Sequence, residues 1–85
     1  DVEAVEGINE FVEYAVSENR LKQGLTYLQE NGFPLSVKST GDFIRWVVND
    51  VYKEESDTIV ANKLEVKKIN SAISVKARMW FMNNI

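Results

Sequence analysis

The sequence predicts a small, mainly α-helical domain of three or four helices that spans residues 1–85. Apolar side chains recur at helical spacing along three stretches of the chain. Polar residues and an Asn-Gly pair between these stretches are typical of helix starts and stops. No Gly or Pro follows Gly41, so no helix-breaking residue interrupts the second half of the chain. With 45% hydrophobic residues the chain can build a core, although its size makes one core only just sufficient.

Residues 2–16 are predicted to form the first helix, because their apolar side chains occupy half of a helical wheel. These side chains are Val2, Val5, Ile8, Phe11, Val12, Ala15 and Val16. The glutamates of this stretch fall mainly on or beside the other half, and acidic residues stabilise a helix N-terminus. The segment from Val12 to Val16 also alternates in polarity, so a short strand is the alternative there.

Residues 18–31 are predicted to form the second helix, with Ser17 as its N-cap. Its apolar face consists of Leu21, Leu25 and Leu28. Gly24 is expected to weaken this helix by up to about 1 kcal/mol, because glycine is a poor helix former. Gly32 supplies a left-handed stop after Asn31, and Pro34 prevents the helix from continuing.

Residues 40–55 are predicted to form the third helix, with Ser39 beginning a sequence that resembles a capping box. Its broad apolar face consists of Phe43, Ile44, Val47, Val48, Val51 and Tyr52. We expect Phe43, Val47 and Val51 to pack against residues of the first two helices, namely Phe11, Val12, Leu25 and Leu28. Trp46 falls outside this face, so we expect another segment of the domain or a partner chain to cover it.

The C-terminal segment, residues 57–85, can be interpreted in two ways. Its apolar residues recur at intervals of seven, as on a long helix that faces a neighbour. The residues concerned are Ile59, Val66, Ile73 and Trp80. Polarity also alternates strictly from Ile73 to Phe81, which is typical of a strand. Leu64 and Val66 would then lie on the other arm of a hairpin. The absence of Gly and Pro favours the helix.

The hairpin alternative would give an α+β fold with the element order of a winged helix. A strand near residue 12 followed by two helices would instead have the order of a ribbon-helix-helix dimer. Both orders belong to nucleic-acid-binding proteins. No motif in the chain is specific enough to name a family.

The residue types argue against an enzyme, a metal site and a bound cofactor. The chain contains no Cys and no His, so it lacks a Cys nucleophile, the His base that usually activates Ser or Thr, and the soft metal ligands. Its acidic pairs are expected at helix ends or on solvated faces, and its aspartates are too widely separated for a calcium loop. No small-molecule substrate is suggested. No apolar run approaches the roughly 20 residues that span a bilayer, so no membrane partner is expected.

Charge is distributed unevenly along the chain. Residues 1–60 contain 5 basic and 12 acidic side chains, whereas residues 61–85 contain 5 basic side chains and one glutamate. The basic segment either lies against the acidic part of the domain or meets an acidic partner or a phosphate backbone. The chain begins with Asp1 rather than Met, so we expect it to be part of a longer or processed protein.

These observations favour a non-enzymatic module for protein–protein interaction or assembly, which either associates with itself or docks in a larger complex. Its predicted partner-binding side chains are Trp46, Met79, Trp80 and Phe81. Predicted contacts to phosphate or to an acidic partner are Lys67, Lys68, Lys76 and Arg78. The alternative is a nucleic-acid-binding domain that uses the basic C-terminal segment, where cations are interleaved with apolar and aromatic residues. The domain's overall negative charge counts against that alternative.

Overall fold

In a computed structural model, the described part of the chain folds into four α-helices. The structure describes the backbone of residues 2–61 and 65–85 and the side chains of residues 8–61 and 65–85. The helices are α1 (Val2–Ala15), α2 (Glu18–Glu30), α3 (Thr40–Ala61) and α4 (Val66–Asn84). A 3-10 turn, Val37–Ser39, precedes α3, and the described residues contain no strand. The predicted mainly α-helical domain of three to four helices is therefore confirmed.

Both predicted ends of α2 are confirmed. The Ser17 hydroxyl accepts a hydrogen bond from the Arg20 backbone N–H at 3.4 Å, which caps the N-terminus. Gly32 follows the C-terminus with a φ of 76°, and the N–H of Phe33 donates to the Leu28 carbonyl at 2.9 Å. This closing pattern requires a left-handed residue, which explains the glycine at that position.

The start of α3 differs from the prediction. The buried Ser39 hydroxyl donates to the carbonyl of Pro34 and does not cap the helix as expected. The Thr40 hydroxyl donates to the Val37 carbonyl at 2.7 Å. Ser39 therefore fastens the loop before α3, and the 3-10 turn provides the helix entry.

Helices α3 and α4 form an antiparallel pair that organises the rest of the domain. The Phe43 ring, near the start of α3, stacks on Phe81 near the end of α4 with centroids 4.7 Å apart. At the other end of the pair, the Tyr52 hydroxyl lies 3.5 Å from the Val66 carbonyl oxygen. Helix α2 packs on α3, and α1 packs on α4. Two residues, Val16 and Ser17, join α1 to α2.

The core lies between these helices and contains the residues predicted for it. Phe43, Val47 and Val51 are fully buried together with Val12 and Leu28, whereas the predicted Phe11 and Leu25 are partly buried against them. Helix α4 adds a row of buried side chains spaced four residues apart. This row consists of Ile69, Ile73, Ala77 and Phe81.

The helical interpretation of the C-terminal segment is confirmed over residues 66–84, but the continuous stripe at intervals of seven is wrong. Ile59 belongs to α3 and is buried in the core, whereas Val66 begins α4 and is exposed. The winged-helix alternative is not supported, and the strand suggested near Val12 is helical instead. Leu64, placed on an arm of the alternative hairpin, lies outside the described residues.

We expect Val47→Asp to unfold the domain or to lower its stability by several kcal/mol, because it places an unpaired charge in the core. The matched control is Val60→Asp on the same helix, where the native side chain is 76% exposed. Thermal unfolding followed by circular dichroism measures both variants. A Val47→Asp variant that melts like the wild type would show that α3 does not bury this face.

Candidate protein-contact surface on helix α4

The side of α4 that faces away from the core carries exposed apolar residues. Val75, Met79 and Met82 are 57%, 61% and 41% exposed, respectively. Their spacing of four and then three residues places them on one side of the helix, opposite the buried row. Exposed apolar side chains usually occur singly on the surface of a monomeric protein, whereas these three are neighbours on one side of a helix. We call these three residues the outer face of α4.

Basic side chains flank the outer face, and the structure uses some of them internally. Lys76 reaches across to Glu13 of α1, with Nζ and Oε1 3.3 Å apart. Lys68 pairs with Glu65 one turn earlier at 3.5 Å. Both pairs are exposed and therefore contribute little to stability. Lys67 and Arg78 are exposed and have no ion pair with any described side chain. The basic segment is thus only partly neutralised by the acidic part of the domain.

A shallow groove of about 560 Å³ separates α1 from α4 beside the outer face. Its lining residues are Asn9, Lys67, Lys68, Ser71, Ala72, Val75 and Lys76. The lysine side chains place positive charge around an apolar floor formed by Ala72 and Val75. Val75 belongs to both the groove and the outer face, so the two features form one continuous surface.

The aromatic residues of α4 are less accessible than the sequence suggested. Phe81 is fully buried between the helices and offers no surface to a partner, so we remove it from the predicted contact set. Trp80 is partly buried and stacks on Phe43 with centroids 5.8 Å apart. Among the α4 residues predicted to bind a partner, Met79 is exposed and therefore accessible.

Trp46 is partly buried, and α2 supplies part of its cover within the domain. Its ring lies 6.1 Å from that of Tyr27, with the planes 29° apart. A β-carbon placed on Gly24 would lie 2.7 Å from Trp46 Cε3 and 2.9 Å from Phe43 Cε2. Gly24 therefore permits the close approach of α2 to α3, a role that helix propensity did not indicate.

An open pocket of about 360 Å³ lies beside Trp46 and Tyr27. Charged groups of both signs border it, and they include Asp42, Arg45 and Lys53. Arg45 and Asp42 form an ion pair at 3.7 Å across one turn of α3. The partly buried Asp50 carboxyl also lines this pocket, close to the opposite charge of Lys53.

The Arg20 guanidinium joins three helices, a role that its place on α2 did not suggest. Nη1 donates to the Ala15 carbonyl at the end of α1 at 2.6 Å, and Nη2 donates to Glu54 of α3 at 2.6 Å. Nε lies 3.3 Å from a carboxylate oxygen of Asp50, and Nη2 lies 3.6 Å from one of Glu55. One cation thus faces three carboxylates.

The environment of Asp50 shows why this cation is needed. Burial raises the pKa of the Asp50 carboxyl above its ordinary value, and the charge of Glu54 raises it further. Arg20 and Lys53 act in the opposite direction and lower that pKa. The arrangement ties helices together, and it resembles a structural ion-pair network more than a catalytic pair.

No group of three or more acidic, His or Cys side chains that could hold a metal ion occurs within the described part of the chain. Among the helices of residues 2–61 and 65–85, none is long and apolar enough to cross a membrane.

Comparisons of the chain with protein-family models, with curated proteins and with solved structures give no match. Any functional proposal must therefore be argued from the surface of this chain. The outer face of α4 is the strongest candidate for such a surface. Val75 and Met82 were not among the predicted contact residues, although they lie opposite Ile73 and Ala77 on a helical wheel.

We expect Gly24→Ala to destabilise the domain by up to about 2 kcal/mol, because the added methyl group would overpack the Trp46 and Phe43 rings. The overpacking costs about 1–3 kcal/mol, and a gain in helix propensity of about 1 kcal/mol offsets part of it. The control is Gly41→Ala, also in a helix, where a β-carbon meets open space and should be neutral or stabilising. Urea unfolding followed by Trp fluorescence distinguishes the two. Equal stability gains in both variants would contradict the close approach of α2 and α3.

We expect Arg20→Gln to cost about 2 kcal/mol at pH 7, since it removes charge-assisted hydrogen bonds to α1 and α3. The raised pKa of Asp50 means that ionising this group costs stability as the pH rises through that value. Arg20 offsets that cost, so its loss should matter less at pH 4 than at pH 7. Lys22→Gln, which removes an exposed i,i+4 pair on the same helix, should change stability by under about 0.5 kcal/mol. Unfolding free energies at both pH values test this, and a loss that does not depend on pH would count against the role of Asp50.

Proposed function

We propose that this domain is a non-enzymatic protein-interaction module that contacts another chain through the outer face of α4. The supporting observation is the exposed row of Val75, Met79 and Met82 on a helix whose opposite side is fully occupied by the core. Burying three such side chains favours association, because apolar surface is removed from water. Methionine suits a contact of this kind, since its flexible side chain adapts to the partner's shape.

The basic side chains around this face favour a partner with acidic groups at its edge. Lys67 and Arg78 are exposed and carry charges that no described side chain neutralises. At the rim of a protein interface such charges guide the encounter and select the partner, while the apolar centre contributes most of the affinity.

Nucleic-acid binding is a weaker proposal for the same surface. The centre of the face is apolar, and one of its lysines, Lys76, is already paired with Glu13. The neighbouring helix α1 carries glutamates and no basic residue, and these charges would repel a phosphate backbone. The net charge of −3 also differs from the basic balance typical of nucleic-acid-binding domains.

We expect a photo-crosslinking side chain, benzoylphenylalanine, to capture a protein partner when it replaces Met79. The matched control places the same side chain at Arg45, an exposed position on α3 that borders the pocket beside Trp46. Crosslinking in cells, followed by gel analysis and mass spectrometry, should give a discrete adduct at position 79 and none at position 45. Equal capture at both positions, or no protein adduct at position 79, would contradict the proposal.

We expect the purified wild-type chain to bind labelled duplex and single-stranded DNA only weakly, as measured by fluorescence anisotropy. Tight binding that falls steeply with salt, and that Lys67→Glu abolishes, would favour the nucleic-acid alternative instead.

A further inference from the structure

We propose that the partner of the outer face is a second copy of this chain, which docks through a surface shared by α1 and α4. This inference rests on the proposed function and names the partner. The proposed contact surface includes residues of α1 as well as the outer face of α4.

The argument begins with charge. Helix α1 contains four glutamates and no basic residue, whereas α4 contains four basic residues and no acidic one. The two helices lie side by side and are joined at the Lys76–Glu13 ion pair. In the described part of the chain, the exposed Glu10 and Glu13 of α1 form an acidic strip next to the basic strip of α4, with the groove between them.

A face of this kind is complementary to itself. A two-fold axis along the groove places α1 of each copy over α4 of the other, so that acidic and basic strips meet twice. Two-fold dimers use the same patch on both copies, and such dimers are the commonest oligomers of soluble proteins. In this arrangement Ala72 and Val75, which form the floor of the groove, lie near the axis and are covered by their own symmetry mates.

The side chains available for the contact are exposed and lack partners across the two helices. Within the described side chains, a single ion pair, Lys76–Glu13, joins α1 to α4. Glu10 on α1 and Lys67 on α4 are both exposed and make no ion pair with a described side chain. They can therefore pair with the opposite strip of a second copy. The apolar side chains beside them, Val75 and Met79, supply the surface that such a contact would remove from water.

Charge reversal tests this arrangement with two variants of the purified chain. Glu10→Lys makes α1 less acidic, and Lys67→Glu makes α4 less basic. Each variant alone should weaken the dimer about tenfold, because the two-fold axis introduces each repulsion twice and surface pairs contribute about 0.2–1 kcal/mol each. An equimolar mixture of the two variants should recover association as a heterodimer, since the lysine at position 10 then faces the glutamate at position 67. Sedimentation equilibrium over concentrations up to about 1 mM gives the dissociation constants.

Two control variants change the net charge by the same amounts at α2. Glu30→Lys and Lys22→Glu lie at exposed positions of that helix and should leave the dimer of the wild-type chain unchanged. Recovery in the mixed pair, with unaffected controls, is the expected result.

Three results would overturn the inference. A wild-type chain that stays monomeric up to about 1 mM has no such dimer. If neither charge reversal changes the dissociation constant, the dimer uses another surface. If the mixture of the two variants does not recover association, α1 of one copy does not pair with α4 of the other. Crosslinking at position 79 to a different protein, together with a monomeric purified chain, would reject self-association while leaving the proposed function standing. Absence of any protein adduct at that position would reject the function itself.

Discussion

The Phe43 ring is the point at which three helices meet, and the rest of the structure depends on its packing. It belongs to α3, stacks on Phe81 of α4, and lies against the bare backbone of Gly24 on α2. No disulfide supports the described chain, and a domain of this size has little reserve of buried area. Close packing at this one junction therefore determines how α2 and α4 are placed on α3.

That packing also decides which surfaces remain for function. The two aromatic residues of α4 pack in or against the core, since Phe81 is buried and Trp80 is partly buried. Trp46, another aromatic residue predicted to bind a partner, is partly covered by α2. The remaining exposed apolar side chains of α4 are therefore aliphatic or methionine, and basic groups surround them. A contact of this composition is adaptable in shape, while its specificity comes from charge.

The helices could be predicted from the sequence because apolar spacing and caps act locally, as at Ser17 and Gly32. The C-terminal segment allowed both a helical and a strand interpretation for a physical reason. The buried residues Ile73, Ala77 and Phe81 are four apart, and a spacing of four is also a multiple of the strand period of two. The candidate surface was partly predictable, since Met79, Lys67 and Arg78 are exposed. The burial of Phe81 and the role of Arg20 depend on neighbours distant in sequence, which no local pattern reveals.

The two-residue link between α1 and α2 has a consequence for how the domain opens. Helix α1 buries Ile8, Val12 and Ala15 against the remaining helices, and Arg20 fastens its last turn through the Ala15 carbonyl. Because α1 packs mainly on α4 and only a short link joins it to α2, we expect α1 to open locally before α2, α3 and α4 separate. Any partner that contacts both α1 and α4 stabilises the closed form over the detached one. Binding and local folding of α1 are then thermodynamically linked, and slower amide hydrogen exchange in α1 accompanies complex formation.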